Sequence, residues 1–177
     1  MCVSSCKTHI VAFNVNPTNA LFKVRVYMLR GIVFSDISNY DRAINDLDRA
    51  VELAPNMAGC LAYRGITYRE IEQYDRALAD LHEAINLDSD IAWIYAERGY
   101  PYREIERYDE ALRDLNKAIE LDSNTGWLYA YRGIAFREMG LRKKAIDDLN
   151  KSLEMGYDRG WVYRSRGVAY LSWTLSI

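Results

Sequence analysis

Five arginines, Arg30, Arg64, Arg98, Arg132 and Arg166, recur at a constant interval, and the first four are each followed 16 residues later by an aspartate: Asp46, Asp80, Asp114 and Asp148. Guanidinium and carboxylate groups repeated in this way can do one of two things. The arginines hold an external anion, or they pair internally as a ladder of charge-assisted hydrogen bonds. Internal pairing is the stronger expectation, because a charge buried without a partner is costly. Each aspartate lies 16 residues after one arginine and 18 before the next, so it can serve either neighbour or bridge both.

Other chemistry has little support. The two histidines are His9 and His82, and His82 shares its register with Asp48, Asn116 and Asn150, a polar row expected to face solvent. No nucleophile stands beside a plausible base, so no catalytic residue is assigned. The glycines are periodic and form no phosphate-cradling loop. Cys2, Cys6 and His9 are three potential metal ligands on a terminal segment, too few and too weakly framed to assign a metal. No cofactor is expected.

Composition narrows the class further. The chain has 177 residues, 50% hydrophobic and 27% charged, with a net charge of -2, which is enough apolar material for a core without a strongly signed field. A sequence pI near 5.8 argues against nucleic acid as a partner, since phosphate binding relies on clustered lysine and arginine. The short apolar run Ile10-Val11-Ala12-Phe13 is interrupted by Asn14, and nowhere do 18 apolar residues run together, so neither a signal-peptide core nor a membrane span is expected. Three cysteines, an odd number, make a poor disulfide framework, and the expected location is cytoplasmic.

The arginines are spaced by the elements that carry them. Each precedes a glycine, and the Arg-Gly pairs at 30-31, 64-65, 98-99, 132-133 and 166-167 define a repeat of 34 residues. The units run 24-57, 58-91, 92-125 and 126-159, followed by the first half of an incomplete fifth at 160-177 and preceded by a degenerate segment or cap at 1-23. Tyr74, Ala77, Leu78, Leu81, Ala84 and Ile85 follow helical i, i+3, i+4, i+7 spacing, and strand alternation is absent. Each unit therefore reads as two helices. Asp88-Ser89-Asp90 and Asp122-Ser123-Asn124 are expected to end one helix and cap the next.

Glycine inside a helix costs roughly 0.5–1 kcal/mol relative to alanine, so Gly31, Gly65, Gly99, Gly133 and Gly167 imply close helix approach. Opposite them stand small residues, Ala43, Ala77, Ala111 and Ala145, with Leu47, Leu81, Leu115 and Leu149 to fill the remaining space. Pro101 falls where other units have Val33, Thr67, Ala135 and Ala169; it is expected to kink or break its helix, whether as a functional bend or as tolerated drift.

This pattern of aromatic, glycine, aromatic, alanine, leucine and alanine at period 34 resembles the tetratricopeptide repeat, carried in the first unit by Tyr27, Gly31, Phe34, Ala43, Leu47, Ala50 and Pro55. The fourth unit departs most, with Arg142 at the position of Tyr40, Tyr74 and Tyr108, and Ser152 in place of the last small alanine. The resemblance implies an all-α fold, a right-handed solenoid of stacked antiparallel helix pairs, and a non-enzymatic scaffold that holds a peptide or protein segment in a concave groove. By the same resemblance the groove is lined by Trp93, Trp127 and Trp161, by Ile66, Tyr100 and Ile134, and by Arg69, Arg103 and Arg137. Such a lining suits a ligand with apolar or aromatic side chains beside acidic groups. The tryptophans have an alternative role in packing between units. The family's clamp for chaperone terminal carboxylates does not fit: its positions hold Met28, Ile32, Tyr63, Trp93 and Glu97, or Ala62, Ile66, Glu97, Trp127 and Tyr131.

The final stretch, Ala169 to Ile177, is an apolar first helix without a polar capping face, which raises two further possibilities. One is a self-assembly module using that edge; the other is an accessory region of a longer regulatory protein.

Overall fold

The computed structural model describes residues 20–174, in which nine helices and no strands occur. They are α1 (Ala20–Asp36), α2 (Tyr40–Leu53), α3 (Ala58–Glu70), α4 (Tyr74–Leu87), α5 (Ala92–Glu104), α6 (Tyr108–Leu121), α7 (Gly126–Glu138), α8 (Arg142–Glu154) and α9 (Gly160–Thr174). The segment read as a degenerate cap is therefore helical from Ala20, four residues before the first unit was expected to start. Cys2, Cys6 and His9 lie outside the described residues.

Packing within a unit follows from the small residues. A Cβ on Gly65 would lie 2.9 Å from Leu81 Cγ and 3.1 Å from the Ala77 carbonyl, and one on Gly31 would lie 2.7 Å from Leu47 Cγ. Only glycine admits so close a second helix. Leu47, Leu81 and Leu149 are completely buried there, as are Ala43, Ala77, Ala111 and Ala145. Gly167 departs from this rule. Among the described residues no even helix follows α9, and a Cβ on Gly167 would meet nothing within 4 Å.

Each helix packs on its successor, and in addition every odd-numbered helix touches the next odd-numbered one, whereas among the described residues no even-numbered helix touches another. The odd helices are therefore the crowded inner row and the even helices the splayed outer row. A stack with one row crowded and the other spread is curved, with α1, α3, α5, α7 and α9 on the concave side.

Two expectations about local structure need correction. Pro101 does not break its helix: α5 runs through it for 13 residues, the same length as α3 and α7, and the buried ring sits in the last turn. The inter-unit polar stretches end one helix without capping the next. Asp88 and Asp122 accept hydrogen bonds from the backbone N–H groups of Asp90 and Asn124, while the N-cap residues are Met57, Ile91 and Thr125, none of which makes a side-chain cap.

Candidate functional site

The arginine of each of the first four Arg-Gly pairs leaves its odd helix toward the following even helix, because the helical register that turns the glycine to the interface carries its neighbour to the rim. Arg30, Arg64, Arg98 and Arg132 each direct Nε and Nη2 at both carboxylate oxygens of Asp46, Asp80, Asp114 and Asp148, at 2.5–2.8 Å. Two parallel bonds fix the plane as well as the distance. The aspartates are buried, from 2 to 8% exposed, so these are structural ties within a unit.

A second set of bonds runs between units. Arg64 Nη1 donates to Asp48, Arg132 Nη1 to Asn116 and Arg166 Nη1 to Asn150, each reaching back 16 residues to the preceding even helix. The row expected to face solvent thus links neighbouring repeats. At the remaining junction the row holds His82, whose ring stands edge-on to Tyr102 and whose Nδ1 lies 3.1 Å from the Leu78 carbonyl. Arg98 has an aspartate but lacks this second acceptor type.

The residues expected to line the groove lie on the inner row in two groups. The first is aromatic. Tyr63 on α3 packs against Trp93 on α5 at 5.4 Å between ring centroids; Trp127 and Tyr131 on α7 stand 5.2 Å apart, and Tyr131 contacts Trp161 on α9 at 6.0 Å. The three tryptophans are half-buried and pack against the core clusters, so they join units together while keeping part of each ring open. Ile66 and Ile134 are half-buried on the same helices.

The second group is charged and centres on Tyr100. The guanidinium carbons of Arg69 and Arg103 each lie 4.6 Å from its ring centroid. Arg69 Nη2 is 2.9 Å from Glu70 and 3.1 Å from Glu97; Arg103 contacts Glu104 and lies 3.6 Å from Glu138; Arg137 bonds Glu138 and Ser165. All three arginines expected to await a ligand's acidic groups are thus engaged by the chain's own side chains. Satisfaction is incomplete: Arg69 Nε, Arg103 Nε and Glu97 Oε2 are buried without a hydrogen-bond partner.

Glu97 and Tyr131 were named in the sequence reading only at clamp positions that do not fit, and were left out of the expected lining. Burial pushes the Glu97 carboxyl above the ordinary range against the opposing pull of Arg69, with Glu70 adding to the rise. The Tyr131 phenol is pushed up to about 12 by burial and then by the Glu97 charge. Tyr100 is also raised, chiefly by burial. The signal available in sequence was a column out of register in type: Leu29, Tyr63, Glu97, Tyr131 and Ser165.

Among the described residues no group of histidine, cysteine and acidic side chains is placed to hold a metal, and no helix is long and apolar enough to cross a membrane.

Comparison with known proteins agrees with this architecture. Residues 24–57 match a family model described as a tetratricopeptide repeat, and residues 99–140 match a TPR repeat model. No curated protein sequence matches the chain. Among solved structures, the chain resembles the MamA protein at 26% identity and a TM-score of 0.72, over 86% of this chain and 84% of that one. It also resembles YrrB, described as a TPR protein with an unusual peptide-binding site, at 21% identity and a TM-score of 0.65, over 82% and 75% of the two chains. Pseudomonas aeruginosa pilF aligns at 21% identity with a TM-score of 0.78, over 85% and 69%. At these lower identities the likeness concerns the fold. With the 34-residue register, the paired helices and both family matches in agreement, this chain is a tetratricopeptide repeat protein.

Proposed function

We propose that the chain is a non-enzymatic scaffold that holds an extended segment of a partner protein along the inner faces of α3, α5, α7 and α9. The observation that carries this reading is the row of half-open aromatic rings, Tyr63, Trp93, Tyr100, Trp127 and Trp161, set among paired charges on the concave side. Partly exposed aromatic and arginine side chains supply large contact area at low ordering cost, which is why they dominate binding hot spots. YrrB, similar in fold, is a TPR protein with a peptide-binding site, which supports the same use of the architecture.

The test is capture of partners from lysate by the intact chain and by a Tyr100→Ala variant of unchanged helicity. Tyr100 is a better probe than Trp93 or Trp127, which also pack against the core. A partner retained by the first and lost by the second supports the groove; equal capture removes it.

Self-association is a second reading, favoured by one observation. Val26, Leu29 and Val33 form a stripe on α1 that is 40 to 58% exposed, and Tyr163, Val168 and Tyr170 on α9 are 45 to 48% exposed. Light scattering across a hundredfold concentration range separates the two readings, since only association through these ends makes the apparent mass grow.

A further inference from the structure

We infer that the groove takes a cationic side chain of the partner segment, an arginine or a lysine, at Glu97; this rests on the groove reading above and names the chemistry of one of its subsites.

The charge balance of the inner face sets the sign. Glu70, Glu97, Glu104 and Glu138 are four carboxylates against the three guanidiniums of Arg69, Arg103 and Arg137, and every one of those guanidiniums already has a carboxylate beside it. An incoming anion would meet a carboxylate already beside each arginine, with only the buried Nε of Arg69 and of Arg103 left unpaired. An incoming cation meets a surplus carboxylate.

Geometry selects which one. Glu70, Glu104 and Glu138 sit at the ends of their helices and are exposed to solvent. Glu97 lies within α5, its side chain only 18% exposed, and Oε2 accepts no hydrogen bond even though Arg69 Nη2 is 3.1 Å away. The approach is close but misaligned, and Arg69 is shared with Glu70. A buried carboxylate with an unused acceptor gains more from a new charged donor than a solvated one does.

The surroundings suit a cation. Trp93 precedes Glu97 by four residues and so stands one turn away on the same face of α5, with the Tyr63 ring packed against it. Tyr131 on α7 is close enough for its phenol to respond to the Glu97 charge. A carboxylate with aromatic rings on the same helix face suits ammonium and guanidinium groups, which pair with the charge and are attracted by the ring quadrupoles. Glu97 has no equivalent in the other units, so one such subsite exists per chain: its column otherwise holds Leu29, Tyr63, Tyr131 and Ser165.

The raised Glu97 carboxyl supplies an independent readout. The charged groups acting on it are Arg69 and Glu70 from α3, and Tyr131 faces it from α7. Burial holds the carboxyl partly toward its protonated form, and a bound cation favours the ionised form, so cation affinity rises with pH as Glu97 loses its proton.

The test is an NMR titration that follows the Trp93 indole N–H and the Glu97 amide. The probes are N-acetyl-arginine amide, N-acetyl-lysine amide and N-acetyl-glutamate amide. The expected result is a saturable shift with the two cations and none with the glutamate compound, at least tenfold weaker binding in Glu97→Gln, and weakening in the unaltered protein as pH falls. Equal cation binding by Glu97→Gln, a preference for the glutamate probe, or affinity that does not vary with pH overturns the assignment. Silence with all three probes also overturns it, while the groove reading is judged separately by the Tyr100→Ala capture.

Discussion

The arginine ladder shows how much of a residue's cost depends on what else its partner can reach. Arg64 holds Asp80 with two bonds and Asp48 with a third, whereas Arg98 holds Asp114 and has His82 where the next acceptor would stand. Asp114→Ala is therefore expected to cost about 3 kcal/mol, because a largely buried guanidinium loses its carboxylate. Asp80→Ala is expected to cost about 1–2 kcal/mol, with Arg64 falling back on Asp48. Urea denaturation of both variants checks the order; equal losses would contradict it. Glu97 behaves in the opposite way. Its carboxyl titrates higher in the folded chain than in the unfolded one, so the folded state binds the proton more tightly and stability falls as pH rises through that window. Glu97→Gln should raise the melting temperature at pH 7, with the gain shrinking as pH falls toward the ordinary carboxylate range of about 4.3. A gain independent of pH would show that the buried charge is not its source. The primary ladder was legible in sequence because both residue types repeat at a fixed interval. The Arg64–Asp48 link was obscured because its acceptor column changes type through Asp48, His82, Asn116 and Asn150.

At the scale of helices, the glycine of each unit is a statement about the helix opposite. Gly65→Ala forces a Cβ to within 2.9 Å of Leu81 Cγ and is expected to cost about 1–3 kcal/mol. Gly167→Ala meets open space, and the higher helix propensity of alanine is expected to add about 0.5–1 kcal/mol to α9. Thermal melts of the two variants should therefore shift in opposite directions; a shared direction would contradict the packing account. Helix positions were readable because the 3.6-residue period and the Arg-Gly register reinforce each other. Pro101 was misjudged for a local reason. Its lost N–H bond and its ring clash both concern the preceding Glu97 carbonyl, but α5 ends three residues later at Glu104, as α3 and α7 end at the equivalent Glu70 and Glu138, so little helix remains for a break to remove.

For the whole molecule, curvature decides which residues meet. The inner row brings Arg69 of α3 to Glu97 of α5, and Tyr131 of α7 to Trp161 of α9, across intervals that no helical period connects. That is why the aromatic and arginine columns could be named from the repeat while their engagement with Glu70, Glu97, Glu104 and Glu138 could not. It depends on the distance between neighbouring units, which the sequence of one unit does not contain. The measurement that bears most directly on the central claim is hydrogen exchange of the chain with and without a captured partner segment. Partner binding at the inner row predicts slowed exchange concentrated in α3, α5, α7 and α9, with α4, α6 and α8 little changed. Protection confined to the even helices, or to α1 and α9 alone, would contradict it.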